Sequence, residues 1–401
     1  MGEQKIDFIN GNEAVAYAVK AARVQVVVAY PITPQSPVTE KLSEYVANGE
    51  LGASFVEIEG EHSCFAAVGS ASGTGCRVFT ATCGPGLAYG HENVQRMHIS
   101  RFPVVIAVPN RALGTTIFCD HSDTMAEATC GWIQLYTENS QEVLDTVIQA
   151  FKVAEDHRVL MPVMVCYDGY VTSHTGETIR LPAQEDVDIF LPPRKALYTT
   201  DPSQPLVTEA MNIPVAEWEH EQAMQSAKAV IREANEEYAK IFGRIYGNGL
   251  TERFMCEGAE AVLVTMSSTM GTAREVVAEM RSQGYRIGLL KLKSFRPFPT
   301  EDFRQLAGEV KAVGVLERNE THGSGCGEAF KEVRSAMYDA SVRPKTINFI
   351  GGLGGSDVRI QDVRFACEKT LEAARTGRVE KEVHWLVPEL MPAERERTGA
   401  G

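Results

Sequence analysis

Short, nearly continuous apolar runs alternating with longer stretches of helical spacing constrain this chain more than any other feature. VQVVVAYP, ASFVEIEG, CRVFTAT, FPVVIAVPN and MPVMVCYDGY recur between residues 24 and 170. Helical patterns such as PVTEKLSEYVANGE, EHSCFAAVGSASGTG and SQEVLDTVIQAFKVAEDH separate them. Apolar strands alternating with helices predict a mostly parallel sheet covered on both faces. Ser140 is the expected cap of the last helix. A second unit of the same kind starts near Ala259, with strands in AEAVLVTMSS, YRIGLLKLKSFRPFP and KAVGVLERN. The fold class is therefore α/β, with two domains built on mainly parallel sheets.

Between the two units the pattern breaks. From about Gly176 to Thr208 the chain is Pro-rich and irregular, as in an extended excursion over the surface or onto a neighbour. A long polar helix over about Ala216–Tyr246 follows. These boundaries divide the chain into 1–175, 176–255, 256–380 and a tail, 381–401, whose end MPAERERTGAG reads as disordered.

Composition removes several function classes. The 401 residues are 44% hydrophobic and 23% charged, as in ordinary globular proteins. A net charge of −14 opposes a general nucleic-acid or anionic-membrane binder. No run is long enough to span a bilayer, and the start has no apolar leader, so the cytoplasm is the expected location. Nine cysteines lack C-x-x-C spacing, so free thiols are expected, with no metal or iron–sulfur site in this chain.

The stretch AYPITPQSP (29–37) closes the first apolar run with prolines. Pro31 should end the strand, since proline removes a ladder hydrogen bond. A stiff loop at a strand's carboxyl end is where α/β proteins place ligands. The same residues also fit a helix entry, with Thr33 as cap and Pro34 first in the helix.

YPITPQSPVTEKLSEYV, EIEGEHSCFAAVGSASGTGCRVFTAT and NRALGTTIFCDHSDTMAEATCGWIQLY together resemble the α subunit of the 2-oxoacid:ferredoxin oxidoreductases. KSFRPFPTEDF and its surroundings resemble that family's second domain, which is similar to the transketolase C-terminal domain. The resemblance implies a pyrimidine-binding thiamine-diphosphate-type domain at 1–175 and a transketolase C-terminal-like domain at 256–380. It also implies half a cofactor site. The diphosphate and Mg site, marked in the family by Gly-Asp-Gly, and the iron–sulfur clusters would lie in partner subunits, for YDGY at 167–170 is not that motif. The implied partners are a β subunit, γ/δ ferredoxin-type subunits, and ferredoxin or an NAD-reducing flavin subunit, in a higher-order hetero-oligomer. The implied reaction is oxidative decarboxylation of a 2-oxoacid, with coenzyme A taking the acyl group. The alternatives are a non-oxidative transketolase-like carboligase subunit, and a non-catalytic assembly subunit.

Site residues follow from the same resemblance. Glu61 matches the pyrimidine-binding glutamate, whose carboxyl favours the reactive tautomer of the cofactor; burial keeps such a group able to donate a proton. Spacing alone favours an acidic edge strand with Glu61 as a helix-start carboxylate; the resemblance is what singles Glu61 out. Pro31, Ile32 and Leu87 would line the cofactor. Arg111 would bind the substrate carboxylate through two parallel bonds, where a lone arginine is more often a surface ion-pair residue. The Thr33 hydroxyl would orient the keto acid, which implies a substrate with a neutral side group. His62, Asn110, Asp120 and His121 would support the site; with Asp123, Asp120 and His121 also fit a simple turn. The segment 83–101, with His91, Arg96, His98 and Arg101, departs from the pyruvate-type pattern. It leaves room for a bulkier or aryl oxoacid such as phenylglyoxylate, or is drift on a surface helix.

Overall fold

The computed structural model describes residue 2 and residues 4–114, 116–201, 203 and 212–387. Its strands are β1 (Lys5–Ile9), β2 (Val26–Ala29), β3 (Ser54–Glu57), β4 (Val78–Ala81), β5 (Val105–Asn110), β6 (Ile133–Tyr136), β7 (Val163–Asp168) and β8 (Glu177–Leu181). They continue with β9 (Thr251–Phe254), β10 (Ala261–Thr265), β11 (Ile287–Leu292), β12 (Ser294–Arg296), β13 (Ala312–Glu317), β14 (Lys345–Ile350) and β15 (Val383–Trp385). One sheet has the order β12-β6-β7-β5-β4-β2-β3, the other β15-β14-β13-β10-β11-β9. Every neighbouring pair within these two sheets is parallel except β12–β6 and β9–β11, and β1 with β8 forms a further, two-stranded antiparallel sheet. The mainly parallel α/β architecture expected from the sequence is borne out.

Parallel strands need cover on both faces, and here they have it. Helices Gly11–Ala21, Ser36–Ala47 and Ser140–Glu155 bury Val15, Val19, Leu42, Val147 and Phe151 in a core on one face of the first sheet. Asn10 and Glu13 close the first of these helices with a reciprocal capping box. The opposite core holds Phe65, Val94, Met97 and Trp132, and runs on into Leu292, Phe295 and Phe330 of the second unit. The two units thus share one apolar core. The backbone joins them as well: β11 lies in the second sheet, and one residue later β12 forms an edge of the first. The sequence had suggested a single strand through KLKSFR.

Other differences have local causes. Asn139, not Ser140, caps its helix, its side chain accepting from the Glu142 amide. The long helix runs Ile213–Phe242 and stops where Gly243 adopts φ +74°, a conformation open to glycine. The stretch expected to be irregular contains β8 and helix Gln184–Phe190. β8 pairs with β1, a partner some 170 residues earlier that no local pattern announces. Of the expected tail, β15 is ordered against β14, and residues 388–401 lie outside the described residues. No described helix is long and apolar enough to cross a membrane.

Candidate active site at the carboxyl ends of the first sheet

The loops leaving β2, β3, β4 and β5 meet around the turn Cys83–Gly86. This is the strand end at which open parallel sheets expose their loops to ligands. After β2, the amides of Gln35 and Ser36 both bond the Ile32 carbonyl, at 2.7 and 3.0 Å, and fold Pro31–Gln35 into a tight turn. The helix begins at Ser36, so Thr33 is not its cap. Pro31 and Thr33 are exposed and Ile32 is half-buried. The Thr33 carbonyl accepts from Arg111 Nη1 at 2.9 Å and from Cys83 Sγ at 3.3 Å.

Glu61 is the first residue of helix Glu61–Gly73, not a member of β3, which ends at Glu57. Glu57 and Glu59 remain exposed, whereas Glu61 is only 8% exposed. Its carboxylate abuts Gly86: a Cβ there would lie 2.4 Å from Glu61 Oε1 and 2.5 Å from Thr82 Oγ1. Glycine at 86 therefore makes room for the acid. Thr82 Oγ1 is buried and has no hydrogen-bond partner among the described residues. The Glu61 carboxylate likewise makes no hydrogen bond to described residues of this chain. Buried polar groups are normally satisfied, so the unpartnered Thr82 hydroxyl, which can donate as well as accept, and the Glu61 carboxylate beside it fit polar groups of a bound molecule.

Arg111 leaves β5 at the opposite side of the turn. Nε donates to the Thr116 carbonyl at 3.2 Å and Nη1 to Thr33, which leaves Nη2 and one Nη1 proton without a partner among the described residues. Its stem packs on Gly84, where a Cβ would lie 3.1 Å from Cγ and Cδ. Burial pushes the Cys83 thiol well up, so this cysteine is a neutral spacer within the turn.

Of the other expected residues, Asn110 is buried and donates to Asp123 and to Thr124 Oγ1, both at 2.8 Å. Leu87 is wholly buried in the apolar core beside Phe65 and Val94 and supports its helix from within. His62 reaches Glu92 at 3.4 Å and stands against Tyr89. Asp120 and His121 face the second unit. Asp120 Oδ2 accepts from the Gly354 amide at 2.8 Å, and His121 Nε2 lies 2.9 Å from Asp168 Oδ1.

Asp168 is a buried hub that the sequence reading missed. It accepts from Ser267 at 2.7 Å, from Ser268, and from Arg318 Nη1 at 2.8 Å. Burial pushes its carboxyl up, but Arg318 and His121 hold it well below the usual carboxylate range. Cys119, His121 and Asp168 bring sulfur, nitrogen and oxygen within 4.8 Å of one another. The Arg318 cation and the other donors already saturate Asp168, so the group serves to lock two units together rather than to bind a cation. Arg318 also donates to the Cys119 carbonyl at 3.0 Å, and Gly355 is so close to Phe118 that a Cβ there would lie 2.2 Å from it. The second unit thereby grips the loop that follows Arg111.

The basic residues of 83–101 all point to structural partners. His91 pairs with Glu127 at 2.8 Å, Arg96 with Glu92 at 3.7 Å, and His98 with Glu217 at 3.4 Å against the His220 ring. Arg101 donates to the Val159 and Leu160 carbonyls. None of these four side chains bonds Glu61, Arg111 or the Cys83–Gly86 turn among the described residues.

A family model described as pyruvate flavodoxin/ferredoxin oxidoreductase, thiamine diphosphate-binding, matches residues 17–240, more than half of the chain. The chain belongs to this family. A second model, pyruvate:ferredoxin oxidoreductase core domain II, matches residues 259–363. Among relatives, pyruvate synthase subunit PorA of Methanocaldococcus jannaschii is 43% identical over 369 residues, covering 90% of this chain and 93% of that protein. Ketoisovalerate oxidoreductase subunit VorA of Pyrococcus horikoshii is 41% identical over 384 residues, covering 94% and 96%. Two solved structures share the fold. One is a 2-oxoglutarate:ferredoxin oxidoreductase from Magnetococcus marinus (TM-score 0.68, 20% identity, 91% of this chain and 65% of that one). The other is a split-gene transketolase (TM-score 0.56, 12% identity, 91% and 99%). The family and the mainly parallel α/β fold read from the sequence both stand, and the transketolase shares that fold.

Proposed function

We propose that the chain is the α subunit of a thiamine-diphosphate-dependent 2-oxoacid:acceptor oxidoreductase that forms an acyl-coenzyme A and CO2. Its substrate is a 2-oxoacid with a neutral side group. Pyruvate and ketoisovalerate, named in the relatives, come first, and a bulkier aryl oxoacid second. Residues 1–175 hold the pyrimidine half of the cofactor. A β subunit supplies the diphosphate and Mg site, and iron–sulfur clusters in partner subunits carry electrons to ferredoxin or to an NAD-reducing flavin subunit, in the cytoplasm.

One observation carries this reading: the Glu61 carboxylate is buried against Gly86 with no hydrogen bond to described residues of the chain. When bound, thiamine diphosphate supplies the carbon nucleophile and the electron sink. Glu61 would hold a proton toward the pyrimidine ring nitrogen, in the space that Gly86 leaves. The uncommitted donors of Arg111 take the substrate carboxylate, and its bonds to the Thr33 and Thr116 carbonyls fix the guanidinium beforehand. The exposed Thr33 side chain offers the keto acid one further hydrogen bond.

The test is anaerobic assay of the native complex with pyruvate, ketoisovalerate and phenylglyoxylate, each with coenzyme A. Acyl-coenzyme A formation coupled to reduction of a low-potential dye supports the reading. Carboligation without reduction, or no reaction with any oxoacid, contradicts it.

A further inference from the structure

Asp123 is 1% exposed, and four hydrogen bonds converge on it. Oδ2 accepts from the backbone amides of Gly84, at 3.0 Å, and Arg111, at 2.9 Å. Oδ1 accepts from Asn110 Nδ2 and from its neighbour's amide, Thr124, both at 2.8 Å. A single oxygen thus joins the turn beside Glu61 to the residue assigned to the substrate. Asn110 extends the network to Thr124 Oγ1, which lies 2.7 Å from the Tyr136 hydroxyl deep in the core. Both carboxylate oxygens face donors only. An amide could not replace them without turning its own N–H groups toward other N–H groups. Burying a carboxylate is unfavourable, as the rise of its pKa to about 6 by desolvation reflects. A turn-forming aspartate on the surface would reach the same local conformation without that cost.

We propose that Asp123 is a positioning residue that fixes Arg111 relative to the Gly84–Gly86 turn, and so sets where the substrate carboxylate is held against the Glu61 side of the site. It touches no reacting atom and acts through the Arg111 and Gly84 backbone. Gly84 belongs to the same device. At φ +45° it turns its amide onto Asp123, and the missing side chain leaves room for the Arg111 stem, which a Cβ there would meet at 3.1 Å. The inference rests on Arg111 as the carboxylate-binding residue.

The test is a double-mutant cycle in the co-expressed complex, with pyruvate and ketoisovalerate as the probes. Asp123→Asn, Arg111→Ala and the double variant are compared by KM and kcat, with assembly checked by size and thermal melting. Asp123→Asn is expected to raise the oxoacid KM about tenfold while kcat falls less than about threefold. In the Arg111→Ala background the same change should add less than about twofold. If the Asp123→Asn complex does not assemble, Gly84→Ala takes its place, since at φ +45° an alanine strains the turn and its Cβ presses on the Arg111 stem, disturbing the same relation between turn and arginine. The expected signature is the same KM rise, absorbed by Arg111→Ala. Equal effects of either change in both backgrounds, or an unchanged KM, would overturn the inference. A KM unchanged in Arg111→Ala alone would instead overturn the reading of Arg111.

Discussion

Arg111 Nη1 donates to the Thr33 carbonyl at 2.9 Å, across 78 residues of sequence. The bond closes the loop after β5 onto the loop after β2 before any substrate arrives. A lysine could make one such contact but could not hold two carbonyls and also present a fork to a carboxylate. Arg111→Lys is therefore expected to raise the oxoacid KM nearly as much as Arg111→Ala, on the order of tenfold or more, with kcat affected less. Steady-state kinetics at saturating coenzyme A measure both. A KM for the lysine variant equal to wild type would mean that only charge matters at this position.

Glu61→Gln keeps size and shape but removes the acid. Turnover should fall by roughly 10²-fold or more, the scale of lost proton-transfer assistance, while the complex still assembles. Glu61→Asp should rescue little, because the shorter side chain withdraws from the space that Gly86 leaves. Activity within a few-fold of wild type in the glutamine variant would show that the acid has no chemical part.

Much of this arrangement was legible in the sequence. Apolar runs such as CRVFTAT and FPVVIAVPN became β4 and β5, since strands buried on both faces leave a continuous apolar signal. The prolines and glycines of YPITP and CGPG marked the turns, because their backbone limits act locally. Glu61 was singled out through the resemblance alone; spacing read it as the start of a helix after an acidic strand, and the helix does start there, after a strand that ends at Glu57. Asp123 looked like a turn former because an aspartate in CDHSD bonding its own backbone and one bonding two distant amides read alike. The Asp168–Arg318 pair joins residues 150 apart, and β8 finds β1 at similar separation; such partners leave no periodic trace. The split of KLKSFR between two sheets depended on tertiary packing alone.

The lock between the two units should be strong. Asp168→Asn leaves the Arg318 cation buried with a weakened partner, and Arg318→Met leaves the Asp168 charge without its cation. Losing one member of a buried ion pair costs about 3–5 kcal/mol. Both variants are expected to melt earlier than wild type, and both should also raise the oxoacid KM, since Arg318 holds the loop after Arg111 through Cys119. A normal melt with either variant would contradict the lock.

A second buried cluster should govern acid stability. Glu142 is fully buried between Lys291 and Lys293, with the Lys293 contact at 2.9 Å. Burial pushes its carboxyl up, but the two lysines outweigh this and hold it down at about 2, against 4.5 for an ordinary glutamate. A lowered folded-state pKa gives stability that is present above 4.5 and lost as pH falls toward 2. The glutamine variant should be the less stable at neutral pH, and the gap in melting temperature from wild type should hold steady down to about pH 5 and then narrow progressively toward pH 3. A gap that stays constant with pH would exclude this cluster as the cause.

The most direct measurement is a structure of the assembled complex with thiamine diphosphate bound. A Glu61 carboxylate oxygen is expected within hydrogen-bond distance of the pyrimidine ring nitrogen, beside Gly86, with the phosphates and magnesium held by another subunit. A Glu61 turned away from the ring, or phosphates and metal held by this chain alone, would contradict the account.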